Sequence, residues 1–511
     1  MGERNVARQA ERQLELLGDY DSLCFEGTWW SSGTMADRAA RFATGLVGQG
    51  VQSGDRVVVL MANCPEVMIT YNALWRIGAV VTPLIFLVSE DELRSALVNS
   101  GAVAVVTTAE FLPKVSAAIA DVPSVRFVVL AGPATAPGPT VPVFDHAELS
   151  ANEPSGITDR ADDDLAALLF TGGTTGRSKG VPLTHANLFW CGSAAHTASE
   201  RVGLHSTLVP LPLAHAYGLL VTCVGQHQTE RHETILMRWF DPAGWLALAA
   251  EHRVQRTALV PSMIQMLLTQ PLADTDLSAL VAVSSGAAPL AADVRDEFEA
   301  RVPSATIYEG YGCTETAAVI STNPYERRRK GSVGLPIPGC RVSIRDENDV
   351  ELPPGVNGEI CAWSPGIMSG YWQAPEATSV ALVDGWLHTG DIGHQDEDGY
   401  LYVVDRKKDL IIRGGFNVYP RDVEDVLLSH SAVNLAAVVG RPDPRLGEEV
   451  VAFVSLRPGA TVTVDELTRH AKERLAANKY PREIRIVDEV PLTSVGKLDR
   501  KRLRDLVTSR E

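Results

Sequence analysis

The chain has 511 residues, a length at which two or three domains are expected. Hydrophobic residues make up 45% and charged residues 21%, which is the balance of a globular protein with sizeable buried cores. The formal net charge of −17 argues against nucleic acid as a partner, because binding to a duplex requires a basic surface.

The seven cysteines include no Cys-x-x-Cys pair, so the sequence predicts free thiols in a reducing compartment rather than a disulfide or metal framework. The polar start, "MGERNVARQAERQ", is not typical of a secretory signal. The longest apolar run, at 77–88, is too short to span a bilayer. We therefore expect a cytoplasmic protein without a transmembrane segment, either a monomer or a homodimer.

Apolar strands and amphipathic helices alternate through the first half of the chain. A strand is predicted at 54–63, followed by helix, turn and strand at 65–84, and the same order returns at 92–108. Another strand is predicted at 126–132, and helices alternate with a strand again at 242–268. Continuous apolar strands that alternate with helices indicate an α/β fold with doubly wound parallel sheets.

The pattern changes from about residue 340, where short strands separated by Pro and Gly turns predict a small β region. A compact α+β pattern follows Asp405, with helices predicted at 420–430 and 463–479. We predict a large N-terminal domain at 1–404 and a small C-terminal domain at 405–511.

The stretch "TGGTTGRSKGVPLTH" at 171–185 has the composition of a phosphate-binding loop. Glycines let the backbone approach a ligand, successive N–H groups form a concave anion site, and hydroxyls and a lysine add donors. The spacing is not that of a Walker loop. A flexible linker is the alternative, but an apolar strand precedes the stretch and "GVPLTH" follows it. The predicted phosphate-binding residues are Thr171, Gly172, Gly173, Thr174, Thr175, Gly176 and Lys179.

Seven motifs follow one another along the chain. They are "LLFTGGTTGRSKGV" (168–181), "PLAHAYGL" (212–219), "SSGAAPL" (284–290), "EGYGCTETA" (309–317), "GWLHTGDIG" (385–393), "DRKKDLIIRGGFNVYPRDVED" (405–425) and "PLTSVGKLDR" (491–500). In this order they resemble the motifs of the adenylate-forming superfamily, which comprises acyl-CoA synthetases, adenylation domains of peptide synthetases, and luciferases. The resemblance covers nearly the whole chain.

The resemblance implies a reaction in two halves. A carboxylate oxygen attacks the α-phosphorus of ATP and forms an acyl-adenylate and pyrophosphate, and the thiol of coenzyme A then displaces AMP. ATP and coenzyme A are the implied co-substrates and Mg²⁺ the implied cofactor. The small C-terminal domain of this family is mobile and turns between the two halves.

Residue by residue, the resemblance places 171–179 over the β- and γ-phosphates. Gly172 stands where serine is usual in the family and Ser178 where proline is usual, so contacts to pyrophosphate can differ in detail. In the fourth motif the implied nucleotide-binding residues are Glu309, Gly310 and Tyr311, with Tyr311 on the adenine, Thr314 at the α-phosphate, and Glu315 on Mg²⁺ together with Thr174. The alternative is a helix start with Thr314 as N-cap.

The remaining motifs supply further implied roles. Gly286, Ala287 and Ala288 would line the nucleotide, although a tight turn before a helix has the same composition. Asp391 and Arg406 would bind the ribose hydroxyls; taken alone, both are typical of turns and surfaces.

In the same way, the resemblance implies roles in catalysis and domain motion. His215 would lie beside the reacting carboxylate, and Lys497 would reach that carboxylate and the α-phosphate. Lys408 is the implied hinge. Gly414 and Gly415 are implied beside the pantetheine channel of coenzyme A. Arg413 is atypical at its position, and contact with coenzyme A phosphates and exposure to water both remain open.

The acid is expected to bind near Trp190, His215, Tyr217 and 310–312, where the sequence offers no obvious charge for an amino group. This disfavours an amino acid and leaves fatty, aryl and polycyclic acids open. Three functions are considered: an acyl-CoA ligase, an acyl-AMP ligase that loads a carrier protein's phosphopantetheine, and a non-catalytic nucleotide-binding regulator.

Overall fold

The computed structural model describes residues 2–133, 138–171, 178–492 and 498–508. The chain forms two compact units. The first comprises Met1–Leu290, Val294–Arg341 and Ala362–Leu387, and the second Ala291–Asp293, Val342–Cys361 and His388–Glu511. The predicted boundary after residue 404 concerns domain motion, which the division into compact units does not test, and it stays a prediction.

The first unit contains a seven-stranded sheet. Five of its six strand pairs are parallel, and the last two strands form an antiparallel hairpin. In spatial order the strands are Val143–Asp145, Phe127–Ala131, Ala104–Thr108, Arg56–Leu60, Val80–Pro83, Leu165–Thr171 and Lys179–Thr184.

Both faces of this sheet are covered, which explains the continuous apolar strands in the sequence. Val57 and Val59 point into a core shared with Trp75, whereas Val58 and Leu60 point into a second core on the opposite face. Successive side chains of a strand alternate between faces, so a strand buried on both sides has no polar positions. Helices that contribute to these two cores include Ser32–Gly48, Pro65–Arg76, Glu90–Ser100 and Leu112–Ile119.

A nine-stranded sheet is the other large element of the first unit. Its six central strands are parallel, and antiparallel strands extend both edges. In spatial order the strands are Leu335–Pro336, Ser321–Thr322, Thr306–Tyr311, Ala282–Ser285, Arg256–Leu259, Ser206–Val209, Glu233–Leu236, Asp21–Phe25 and Thr28–Ser31.

The nine-stranded sheet is also covered on both faces, which confirms the doubly wound α/β fold. One face shares the core that contains Val57, and the other packs on a separate core around Trp245 and Phe298. The helices of that separate core are Pro242–Glu251, Pro261–Leu268 and Ala292–Arg301. The other helices of this part of the chain are Val6–Leu17, His146–Leu149, His185–Ser199, Ala216–Gly225 and Pro375–Ala381.

The predicted small β region is a five-stranded sheet, and most of its residues belong to the second unit. Its strands are Arg341–Arg345, Gly358–Trp363, Trp386–Gln395, Leu382–Val383 and Leu401–Arg406. Short 3-10 turns occur at Ala109–Phe111, Leu272–Asp274, Thr314–Thr316, Tyr325–Arg327 and Lys407–Asp409.

The rest of the second unit is the predicted compact α+β element. Its sheet contains the strands Phe416–Val418, Ile411–Arg413, Gly447–Leu456, Val433–Asp443 and Glu483–Ile486. The helices Pro420–Leu428, Val464–Arg474 and Arg500–Thr508 complete it. Apolar clusters cover both faces of the long hairpin, one around Val450 and the other around Val451.

The structure can be compared directly with the predictions about thiols and membrane spans. All seven cysteines are free, and five of them are buried. None of the helices within the described ranges combines the length and the apolar character needed to cross a membrane.

Candidate active site

The predicted phosphate loop joins the two strands of the antiparallel hairpin. Thr171 is the last residue of one strand, Lys179 is the first of the next, and the two residues pair. The Ser178 hydroxyl donates to the Thr171 carbonyl oxygen at 2.5 Å. The predicted residues Gly172, Gly173, Thr174, Thr175 and Gly176 lie outside the described residues.

Lys179 and Glu315, predicted from two distant motifs, both contact the side chain of Tyr371. The Lys179 ammonium is 4.7 Å from the ring centroid of Tyr371. The Tyr371 hydroxyl donates to Oε1 of Glu315 at 2.8 Å. The arrangement places a cation and a carboxylate together after the carboxyl ends of two strands, Leu165–Thr171 and Thr306–Tyr311.

The turn that carries Thr314 and Glu315 is held by its flanking residues. A side chain at Gly312 would place Cβ 2.1 Å from the Ala318 carbonyl oxygen, so only glycine fits there. The Thr316 hydroxyl accepts from the Cys313 N–H at 3.3 Å and donates to the Cys313 carbonyl at 3.0 Å. The alternative interpretation of Thr314 as an N-cap is wrong, because Cys313 occupies the cap position of a 3-10 turn.

Residues 286–288 follow the strand Ala282–Ser285 and approach the neighbouring strand closely. A Cβ at Gly286 would lie 3.0 Å from the Gly310 carbonyl oxygen, and Ala287 has a φ of 66°. Ala288 continues this turn toward the helix Ala292–Arg301. The predicted tight turn and the predicted backbone lining of the nucleotide describe the same segment, so the two interpretations do not compete.

The strand Thr306–Tyr311 carries three of the predicted nucleotide-binding residues. Gly310 and Tyr311 pair with the antiparallel strand Ser321–Thr322. The carboxylate of Glu309 is buried and accepts from Arg295 at 3.4 Å. Part of the charge of Glu309 is therefore already balanced within the protein.

His215 is the N-cap of the helix Ala216–Gly225. Its Nδ1 accepts from the Tyr217 N–H at 3.2 Å, which fixes the orientation of the imidazole. The side chain is half-buried. The helix that it caps is apolar, with Leu219 and Leu220 in the core. Trp190 packs against glycine backbone, since a Cβ at Gly366 would lie 2.7 Å from its ring.

In the second unit, Asp391 and Arg406 occupy paired positions on adjacent antiparallel strands. The Arg406 Nε is 3.4 Å from the Asp391 Oδ1, and Asp391 is buried whereas Arg406 is exposed. The family resemblance implies that both residues bind the ribose, and the strand register brings the two side chains together.

The predicted hinge and coenzyme A residues lie close in sequence. Lys408 is the central residue of the 3-10 turn Lys407–Asp409. Gly414 and Gly415 have φ values of 59° and 81° and form a two-residue turn between short strands. Positive φ at both positions is the geometry of a tight hairpin turn, which explains the two glycines. Lys497 lies outside the described residues.

The side chain of Arg413 forms an ion pair within the second unit. Its guanidinium donates to the two carboxylate oxygens of Glu449 at 2.6 and 3.1 Å, and both side chains are largely buried. The paired carboxylate raises the pKa of Arg413. Arg413 therefore forms a largely buried ion pair and is not simply exposed to water, and contact with coenzyme A stays a prediction.

The second unit also contains a cluster that sequence spacing did not reveal. The ligand atoms of Asp349, Cys361 and His388 lie within 4.8 Å of one another. Arg345 donates to both carboxylate oxygens of Asp349, and His388 also contacts Glu359 at 3.1 Å. Burial raises the pKa of the Cys361 thiol to about 12.

Comparison with known proteins agrees with these features. A family model described as AMP-binding enzyme matches residues 10–372, and one described as AMP-binding enzyme C-terminal domain matches 422–497. A long-chain-fatty-acid–CoA ligase of Bacillus subtilis (strain 168) is 34% identical over 95% of this chain and 91% of its own length. A feruloyl-CoA synthase of Amycolatopsis sp is 36% identical over 92% and 93%.

The solved structure of ATP-bound MatB from Rhodopseudomonas palustris has a TM-score of 0.89 and 32% identity, and the match covers 98% of this chain and 99% of that one. Two doubly wound sheets and an α+β element, with the hairpin of Leu165–Thr171 and Lys179–Thr184, define an adenylate-forming enzyme fold. The chain belongs to the AMP-binding enzyme family of adenylate-forming enzymes, which includes acid–CoA ligases.

Proposed function

We propose that this protein is an ATP-dependent ligase that activates a hydrophobic carboxylic acid as its acyl-adenylate and transfers the acyl group to coenzyme A. The observation that carries the proposal is the grouping of Lys179, Tyr371 and Glu315 at the carboxyl ends of sheet strands. The relatives named as long-chain-fatty-acid–CoA ligase and feruloyl-CoA synthase support coenzyme A as the acceptor.

The first half of the reaction requires stabilisation of negative charge on the phosphates. Negative charge develops on phosphate oxygens when the carboxylate attacks the α-phosphorus, and fixed cations and donors aimed there lower the barrier. In the proposal Lys179 and the loop that begins at Thr171 hold the β- and γ-phosphates. Thr314 donates to the α-phosphate, and Lys497 approaches the carboxylate and the same phosphate.

Mg²⁺ would supply charge neutralisation across the phosphates when bound. Glu315 suits it chemically, because Mg²⁺ prefers oxygen ligands and Oε2 of Glu315 accepts no hydrogen bond within the described ranges. The nucleoside part of ATP is assigned to Tyr311 for the adenine and to the Asp391 and Arg406 pair for the ribose. A carboxylate can accept from both ribose hydroxyls.

The second half of the reaction is assigned to the C-terminal element. Rotation about Lys408 would exchange Lys497 for the turn at Gly414 and Gly415, which then admits the pantetheine thiol. That thiol attacks the acyl carbonyl, a thioester forms, and AMP leaves with the electron pair of the cleaved bond. Reuse of one pocket for two reactions requires a motion of this kind.

The acid is proposed to be a hydrophobic monocarboxylic acid. The relatives named for fatty acids and for ferulic acid both act on acids with an apolar body. His215 begins a helix whose inner face is apolar, which supports a site for such a body next to the reacting carboxylate.

The test is a panel of fatty, aryl and polycyclic acids, each incubated with ATP, Mg²⁺ and coenzyme A while AMP and pyrophosphate are measured. We expect AMP release that requires both the acid and coenzyme A, with acyl-CoA as product. Thioester formation only on a phosphopantetheinylated carrier protein would replace coenzyme A as acceptor. Absence of pyrophosphate with every acid, despite ATP binding, would favour the non-catalytic regulator.

A further inference from the structure

One short segment of the first unit is attached to both parts of the candidate phosphate site. The Met368 N–H donates to the Glu315 carbonyl oxygen at 2.9 Å, and the Trp372 N–H donates to the Gly180 carbonyl oxygen at 2.8 Å. These bonds connect segment 368–372 to the turn that carries Glu315 and to the strand that begins at Lys179. Backbone bonds at both ends restrict the three residues between them.

Tyr371 is the last of these three residues, and its hydroxyl, its N–H and its ring each have a defined contact. Its hydroxyl donates to Oε1 of Glu315 at 2.8 Å, and its N–H donates to the Thr378 hydroxyl at 2.9 Å. The Lys179 ammonium lies 4.7 Å from its ring centroid, which is a cation–π distance.

Tyr371 contacts two opposite charges, one through its ring and the other through its hydroxyl. Within the described ranges Lys179 forms no ion pair, although the tyrosine that it contacts is hydrogen-bonded to Glu315. A direct pair between them would occupy the ammonium needed for phosphate and the carboxylate needed for Mg²⁺. Breaking such a pair would oppose the binding of both.

We propose that Tyr371 is a positioning residue for Mg²⁺–ATP that keeps Lys179 and Glu315 near each other but unpaired. Its hydroxyl occupies one oxygen of Glu315 and leaves the other for the metal, and its ring holds the ammonium. This inference rests on the proposed function only for the identity of the ligand. The sequence motifs did not include Tyr371.

Two substitutions separate the contributions of the ring and the hydroxyl. Tyr371→Phe keeps the ring and removes the hydrogen bond to Glu315, and Tyr371→Leu removes both. A matched control is Tyr402→Phe, which removes a hydroxyl that donates to Asp396 at 3.2 Å within the second unit.

The measurement is calorimetric affinity for α,β-methylene-ATP with Mg²⁺ and with EDTA, and for AMP with EDTA. We expect Tyr371→Phe to reduce the affinity gained from Mg²⁺ by about tenfold, since a hydrogen bond to a charged group is lost. Tyr371→Leu should reduce it further and should weaken analogue binding even in EDTA. AMP affinity should stay within about twofold for all variants, and Tyr402→Phe should match the wild type.

Two results would overturn the proposal. An unchanged Mg²⁺-dependent gain in Tyr371→Phe would show that the hydroxyl does not prepare Glu315. Equal weakening of AMP and of the Mg²⁺ complex would show a general structural effect, which thermal unfolding of each variant would also report. Failure of the proposed ligase activity is a separate result, because these affinities need no acid and no turnover.

Discussion

Replacing Lys179 by methionine tests the assignment of the phosphate loop. Methionine keeps an unbranched apolar stem that can still lie on the Tyr371 ring, but it removes the charge that now sits 4.7 Å from the ring centroid. If the ammonium contacts the β- and γ-phosphates, the substitution affects ATP and pyrophosphate and not AMP.

The magnitude follows from the position of Lys179 at a half-buried strand start. At such a site two unit charges 4 Å apart interact by about 4 kcal/mol at an effective dielectric constant of about 20. Desolvation and the lost contact with Tyr371 offset part of this, which leaves about 1.5–3 kcal/mol for a charge-assisted contact. Since about 1.4 kcal/mol corresponds to a factor of ten, affinity for ATP should fall by about tenfold to a hundredfold.

The assay is calorimetric titration of the variant with α,β-methylene-ATP plus Mg²⁺ and with a non-hydrolysable acyl-AMP mimic. Binding of the mimic should change by less than about twofold, because it has no β- or γ-phosphate. Lys407→Met, which removes a lysine paired with Glu359 in the second unit, is a control for loss of one positive charge. Equal weakening of both ligands would refute the reasoning and place Lys179 at the nucleoside or the α-phosphate.

Three further predictions concern adenylate formation, thioester formation and the pH dependence of stability. Lys497→Ala should slow adenylate formation by ~10²–10³, the scale of one transition-state contact, yet preformed acyl-AMP should still react with coenzyme A; equal loss in both half-reactions would contradict its role. Lys408→Pro should form adenylate but not thioester, because proline restricts φ at the hinge, and a wild-type rate of thioester formation would place the pivot elsewhere. Burial lowers the pKa of His146 from 6.5 to about 4, so folding favours the neutral ring and stability falls as pH falls below 6.5. Between pH 7 and 5 this group should cost about 2 kcal/mol, and urea unfolding of His146→Gln should show a correspondingly smaller loss.

Much of the fold was predictable because its signals are local. The run at 57–60 is apolar at every position, and a strand buried on both faces requires that pattern. The paired glycines at 414 and 415 likewise indicate a tight turn, since both positions need positive φ. The family motifs indicated Lys179 and Glu315 as candidates. Their structural setting agrees, and their roles stay predictions until they are measured.

Tertiary structure decided which side chains meet. Tyr371 is 56 positions from Glu315 along the chain, and no spacing in the sequence connects the two. Arg413 pairs with Glu449 across 36 positions, although its neighbours suggested a ligand or solvent.

The amino-acid sequence by itself determined the elements, their order and the chemistry available in each motif. The pairing of charges, and the tyrosine between Lys179 and Glu315, depended on strand register and on backbone bonds between distant segments. The physical reason is range: backbone propensity and apolar periodicity act over a few residues, whereas a side-chain contact exists only after burial has fixed both partners.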